Sequence, residues 1–289
     1  MLKIVDRFGE PVVLVGTATD KYRVRAHDLG NGHLEVSASR VIRWEEADWS
    51  PEYLQDVREC ISKAHEEADP EEVRAKNLAR ASRRARTRIR RLCKAMGADT
   101  LLTLTYRAEQ RDLALAKRHT KEFVRRVARV HPGFACVVGF EEQQRKTWHM
   151  HFAVAGIPPY YVHKGCVVRS YDLLRSIWRS VVGDLSGNVD VARRRRHRDK
   201  SGARIAGYIS KYITKAFAEG EKWSNRWTHY GACDVPVPVD LGEVSNLADA
   251  LSDAFALVEE WQQVATFRLD RWKEWAFLAV ERPPSRRSR

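Results

Sequence analysis

No stretch of the chain approaches the roughly 18 consecutive apolar residues of a membrane span. Met1 to Glu10 mixes charges into every turn where a signal peptide would have an apolar core. Neither membrane insertion nor secretion is expected. No G-x-x-x-x-G-K-[ST] occurs, so the phosphate-cradling loop of an ATP motor is missing. Cysteine is sparse: Cys60, Cys93, Cys136, Cys166 and Cys233 are odd in number, widely scattered and form no C-x-x-C. That excludes a disulfide framework and a zinc ribbon, and it fits a reducing cytoplasm.

Negative charge is in deficit. Asp plus Glu total 38 against 51 Lys plus Arg, a formal net charge of +13 over 289 residues. A surplus of this size seeks polyanions, nucleic acid first among them. It is concentrated in Arg83-Arg84-Ala85-Arg86-Thr87-Arg88-Ile89-Arg90-Arg91 and in Arg193-Arg194-Arg195-Arg196-His197-Arg198. Such runs either form solvated basic faces or bind an anion that relieves their mutual repulsion.

Residues 1 to about 45 carry short β-leaning runs (Pro11–Val15, Tyr22–Ala26, His33–Ser37) broken by Gly9, Gly16 and Gly30-Asn31-Gly32. From Glu71 to Met96 there is no Gly or Pro, and Val73, Leu78, Ala81, Ala85, Ile89 and Leu92 recur at helical spacing. One long basic helix is predicted there. Next come a strand at Leu101–Tyr106, a helix near Asp112–Val130, and strands at Ala135–Gln143 and Trp148–Ala155. A helix near Tyr171–Val182, a strand around Asn188–Ala192 and a helix near Ala203–Ala218 complete the segment. The order begins β-α-β-β-α-β, the split βαβ pattern of a ferredoxin-like antiparallel sheet, so the fold class is α+β. Val244–Ala279 reads as helical and Trp-rich, with Trp261, Trp272 and Trp275 as core, and 283–289 as a basic tail. The expected division is a β-rich N-terminal unit (1–70), a central domain (71–218) and a helical C-terminal extension (219–289).

Trp148-His149-Met150-His151-Phe152 holds the most chemistry. Alternation on a strand sends both imidazoles to one face and Trp148, Met150 and Phe152 to the other. Taken alone, His-x-His is either a structural pair or half of a metal site. A third ligand would come from the adjacent strand. With an odd-numbered loop such as Gln144-Arg145-Lys146, Glu141 lies opposite His149 and Gly139 opposite His151; a two-residue loop would put Glu142 opposite His149 instead. A mixed imidazole and carboxylate site suits Mn²⁺ or Mg²⁺ with waters.

The second constellation is Tyr208-Ile209-Ser210-Lys211-Tyr212-Ile213-Thr214-Lys215. Tyr208 and Tyr212 share a helix face at i, i+4, as do Lys211 and Lys215, giving a doubled Tyr-x-x-Lys. The plain alternative is an amphipathic helix with packed tyrosines and solvated lysines. A tyrosine phenol, with a pKa of about 10, attacks a phosphodiester only with a Lewis acid on the phosphate and cations to offset developing charge.

Leu101-Leu102-Thr103-Leu104-Thr105-Tyr106, Glu141-x-Gln143, His149-Met150-His151 and Tyr208-Ile209-Ser210-Lys211-Tyr212, in that order, resemble the motifs of HUH endonucleases. They are most similar to those of rolling-circle replication initiators of small single-stranded DNA phages and filamentous phages, over about Lys76 to Ala218. One departure is Lys146-Thr147, where many relatives have Gly-Ala. The resemblance implies an HUH nuclease core and a divalent metal, Mg²⁺ or Mn²⁺, on His149, His151 and Glu141. It further implies a strand-specific nick that yields a 5′-phosphotyrosine on Tyr208 or Tyr212, aided by Lys211 and Lys215, and a free 3′-OH. Thr103 and Thr105 are assigned to shaping the site or touching DNA. Single-stranded or origin-hairpin DNA is the implied substrate, with a host helicase and DNA polymerase as partners in a bacterial cytoplasm. Arg83, Arg84, Arg88, Arg194, Arg195 and Arg196 are candidate DNA contacts. Trp223, Trp227 and Tyr230 either stack on bases or pack in a core. The alternatives are an HUH transposase or relaxase, and a non-catalytic basic DNA-binding protein. Residues 1–70 have no assigned role.

Overall fold

A computed structural model describes residues 1–8, 10–163, 165–193, 205–209, 226–260, 262–270, 272 and 274–282. They form a mixed α/β protein with antiparallel sheets and several helices. The chain divides into two units. The first comprises the described residues of Met1–Asp28, Gly32–Asn77 and Val237–Ser285, and the second those of Leu29–Asn31 and Leu78–Pro236.

The second unit is built on a sheet in the order β10-β5-β6-β4-β9. Its strands are β4 (Thr100–Tyr106), β5 (Cys136–Glu142), β6 (Trp148–Val154), β9 (Gly187–Arg193) and β10 (Trp227–Tyr230). All its pairings are antiparallel. Helices α3 (Leu113–Val130) and α4 (Ser170–Val182) supply one layer, and a small hairpin, β7 (Tyr160–His163) with β8 (Cys166–Arg169), precedes α4. Period-2 alternation does the sorting: Leu102, Leu104, Val138, Phe140, Met150 and Phe152 are fully buried with Phe123 of α3 and Trp178 of α4. Phe123 meets Phe152 and Trp178 edge-on, each at 5.8 Å between ring centroids. The Trp178 indole N–H donates to Thr105 O at 2.9 Å, so this large ring is buried without an orphaned donor. Helix α3 starts where the Asp112 carboxylate accepts from the N–H groups of Ala114 and Leu115.

The opposite face of this sheet is only partly covered. Ala85, Ile89, Leu92 and Cys93 of α2 (Pro70–Ala95) and Ile205, Ala206 and Ile209 of the helical residues 205–209 bury its apolar end with Val137 and Ala153. The predicted helical stripe on α2 is thus buried only in its second half; Val73 and Leu78 are exposed. The side-chain amide of Asn31 donates to Lys94 O and Ala95 O, terminating α2.

The first unit carries a sheet in the order β1-β2-β3-β13-β12, with β11 also paired to β2. Its strands are β1 (Leu2–Arg7), β2 (Glu10–Asp28), β3 (Leu34–Glu46), β11 (Val239–Val244), β12 (Gln263–Asp270) and β13 (Trp275–Glu281). Val24, Ala26, Val36, Ala38, Ala276, Leu278 and Val280 form its core with Ala250 and Ala254 of α5 (Leu247–Ala256). Helix α1 (Pro51–Glu66) begins at Ser50 with Pro51 in its first turn, a start signal present in the sequence but unread.

The C-terminal expectation needs correction. Val244–Ala279 is not one helix: only Leu247–Ala256 is helical, and β12 and β13 follow, with β13 paired to β3. Trp261, Trp272 and Trp275 imitate a helical period, whereas Ala276, Leu278 and Val280 obey the strand period that decides burial. Trp272 is 97 % exposed rather than core, and Trp261 lies outside the described residues.

Candidate functional site

Antiparallel register lays out the uncovered end of the second unit's sheet row by row. Glu141 faces His149, His149 faces Thr105, and Thr105 faces Asn188. One row further in are Gly139, His151, Thr103 and Asp190. The next row, Val137, Ala153, Leu101 and Ala192, is apolar and belongs to the end covered by α2. The β5–β6 hairpin closes on the three-residue loop Gln144, Arg145, Lys146, because Gln143 N donates to Thr147 O and Lys146 N to Gln143 O. This odd-numbered loop gives the register that opposes Glu141 to His149. Glu142 instead pairs with Trp148, which the alternation assigns to the other face.

The side chains converge as follows. His151 Nε2 lies 3.0 Å from Glu141 Oε2, a diagonal contact across the two strands. Gln143 Nε2 donates to the same Glu141 oxygen at 2.8 Å and so holds the carboxylate. On the other side of the imidazole, His151 Nδ1 lies 3.3 Å from Thr103 Oγ1. The His149 and His151 ring centroids are 6.4 Å apart. Tyr208 stands edge-on to His151 with centroids 6.2 Å apart and an interplanar angle of 84°, and its side chain is exposed. Helical residues 205–209 achieve this by burying Ile205, Ala206 and Ile209, which leaves Tyr208 on the face toward the imidazoles.

Burial pushes both imidazoles below the ordinary histidine range. For His149 the neighbouring His151 and Arg145 add to the effect, with Glu141 opposing. For His151 burial outweighs the Glu141 hydrogen bond that opposes it. Both rings are therefore neutral at pH 7, the form that offers a lone pair to a cation.

Two imidazoles and a carboxylate suit a divalent cation in donor chemistry. His149 Nε2 is buried with no hydrogen-bond partner, a polar atom that an ion would satisfy. Among the described residues no three His, Cys, Asp or Glu side chains yet close on one point, since His151 Nε2 is engaged with Glu141. Holding an ion in common requires that contact to open.

Lys211, Tyr212, Lys215, Arg194, Arg195, Arg196 and Trp223 lie outside the described residues. Arg83, Arg84 and Arg88 are exposed on α2 and line an open groove of about 380 Å³ with Thr87, Arg91 and Val235. Trp227 packs against the α2-side cluster and Tyr230 against the main core, so both are packing residues. Asn188 and Asp190 went unrecognised in the sequence; the polar alternation Asn188, Asp190 between Val189 and Val191 was the available signal.

Among the described residues no helix is long and apolar enough to cross a membrane. No curated protein and no solved structure matches the chain. A family model for the replication-associated protein ORF2 and its relatives matches residues 99–217, the segment that contains β4 to β9 and Tyr208. Through that segment the chain belongs to the replication-associated protein ORF2 family, which supports a role in initiating replication.

Proposed function

We propose that this protein is a metal-dependent, site- and strand-specific DNA nicking and joining endonuclease that starts rolling-circle replication of a phage or related element. The observation that carries the reading is the edge-on placement of Tyr208 at 6.2 Å from His151, on the face that also presents His149 and Glu141. A structural helix had no need to bring a tyrosine to that pair. A ferredoxin-like HUH core is supported by the order β5-β6-β4-β9, in which the first and third strands of the β-α-β-β-α-β series are the central neighbours.

In this reading Tyr208 Oη attacks the scissile phosphorus. The P–O3′ bond breaks, the 5′ phosphate is left on the tyrosine, and the 3′ oxygen takes a proton to become the primer hydroxyl. A divalent ion on His149, His151 and Glu141, when bound, polarises the phosphate. Gln143 holds Glu141, and Thr103 holds His151. Tyr212 is the second nucleophile that allows cutting of the regenerated origin while the first 5′ end is held, and Lys211 and Lys215 offset developing charge. Arg83, Arg84 and Arg88, with Arg194, Arg195 and Arg196, hold phosphates beside the site. The chain carries no P-loop, so the unwinding and synthesis are work for a helicase and polymerase of a bacterial host, in its cytoplasm.

The test is incubation with labelled single-stranded DNA from the element's origin and Mn²⁺, read on a denaturing gel beside Tyr208→Phe, Tyr212→Phe and His149→Ala. A chelator-sensitive adduct that survives denaturation, is lost in His149→Ala and is reduced by a tyrosine change supports the reading. Binding without cleavage or adduct on any origin-derived strand moves the protein to the non-catalytic class.

A further inference from the structure

The first unit contains an aromatic surface that the chemistry above does not use. Trp272 sits in the turn between β12 and β13 and is 97 % exposed. With Phe267, Arg268, Leu269, Asp270 and Trp275 it lines an open groove of about 740 Å³. Beside the turn, Trp275 and Phe277 stack nearly parallel, at 9° and 6.0 Å between centroids. Register puts Arg268 on β12 opposite Phe277, and the short side chains of Ser37 and Ser39 on β3 opposite Phe277 and Trp275.

A tryptophan this exposed is uncommon on a protein surface unless something covers it. The charge around it limits what that is. The turn reads Arg268-Leu269-Asp270-Arg271-Trp272-Lys273-Glu274, and Glu274 is already engaged by Arg40 and by the Tyr22 hydroxyl. Arg271 and Lys273 enter as sequence alone. Flat aromatic surface flanked by cations is the combination that holds unpaired nucleobases by stacking and their phosphates by charge.

We propose that the β12–β13 hairpin is a DNA contact separate from the His149/His151 site, taking unpaired bases of single-stranded DNA against Trp272 and its aromatic neighbours. It rests on the reading of the chain as a DNA-acting protein and adds to it a place in the first unit where a strand is held. Stacking is tolerant of base identity, so the contact retains a strand without choosing the origin sequence.

The experiment uses the full chain. An oligothymidylate carrying 5-iodouracil is photocrosslinked at about physiological salt and the linked peptides are mapped; binding of a fluorescein-labelled oligothymidylate is followed by anisotropy for wild type, Trp272→Ala and Trp272→Phe. Crosslinks at Trp272 or Trp275, affinity reduced roughly tenfold in Trp272→Ala and largely restored in Trp272→Phe, are expected. An exposed turn residue leaves folding untouched, which circular dichroism checks. Crosslinks confined to residues 99–217 with unchanged affinity in Trp272→Ala overturn the hairpin contact and leave the proposed function standing. No binding or crosslink anywhere overturns both. Loss in Trp272→Ala of flotation with phosphatidylglycerol vesicles, without loss of DNA affinity, assigns the hairpin to a lipid surface and overturns the proposal.

Discussion

Thr103 Oγ1 lies 3.3 Å from His151 Nδ1 while His151 Nε2 lies 3.0 Å from Glu141 Oε2, so one buried imidazole is held at both nitrogens from the strands on either side of its own. Burial keeps the ring neutral, and a neutral ring has one N–H. The Glu141 carboxylate only accepts, so Nε2 carries that proton and Thr103 donates its hydroxyl hydrogen to Nδ1. An ion bound at Nε2 demands the other tautomer, with Nδ1–H donating to Thr103 Oγ1. A hydroxyl serves both states because it donates and accepts.

Thr103→Val removes that second partner in either state. Mn²⁺ affinity is expected to fall about tenfold, and Thr103→Ser is expected to restore it. Nitrogen-15 spectra of the ion-free protein should show His151 protonated at Nε2 in wild type. Equal Mn²⁺ affinity for the valine, serine and wild-type proteins would contradict the assignment.

The β5–β6 hairpin is built with a stability deficit. Lys146 has φ 56°, the left-handed region that favours glycine, and Thr147 is fully buried with Oγ1 lacking a hydrogen-bond partner. These are the two positions where many relatives of the family it resembles have Gly-Ala. Thr147→Ala is therefore expected to stabilise by about 1 kcal/mol, since it removes an unsatisfied buried hydroxyl. Lys146→Gly should give a smaller gain, as relief of backbone strain is partly offset by unfolded-state entropy. Urea unfolding measures both; a loss of stability in Thr147→Ala would show that the hydroxyl has a partner.

Arg83, Arg84 and Arg88 should act through phosphates and not through bases. Replacing all three with alanine is expected to lower affinity for single-stranded DNA regardless of sequence and to reduce the slope of log K against log salt by about 2. A salt titration by anisotropy reads this directly. An unchanged slope would make the α2 groove a merely solvated basic face.

The five thiols should separate into two classes. Cys60 and Cys166 are exposed, whereas Cys93, Cys136 and Cys233 are buried. Burial pushes the three buried thiols up, Cys233 to about 11, so they stay protonated and unreactive at pH 8. Ellman's reagent should therefore titrate two thiols in the native protein and five after denaturation.

The site was legible in the sequence wherever a local period governed it. Alternation in Trp148–Phe152 sorted imidazoles from core, the parity of a three-residue loop chose Glu141 over Glu142, and the Asp112 cap marked the start of α3. Non-local pairing was not legible. Asp190 shares a row with His151 only because β4 lies between β9 and β6, a fact of sheet order rather than of any local pattern. Trp272 and Trp275 were taken for a helix face because their spacing across a hairpin turn coincides with a helical one, and only the pairing of β13 with β3 shows otherwise.

The central claim is that a tyrosine of the helix beside His151 forms a bond to DNA. Trypsin cuts after Arg204, Lys211 and Lys215, so Tyr208 falls in Ile205–Lys211 and Tyr212 in Tyr212–Lys215. After reaction with origin-derived single-stranded DNA and Mn²⁺, and nuclease trimming, mass spectrometry of the tryptic peptides should find a nucleotide phosphate on Tyr208 or Tyr212. It should vanish with chelator and in His149→Ala. Cleaved DNA with both peptides unmodified, or a nucleotide linked to a residue elsewhere in the chain, would contradict the account.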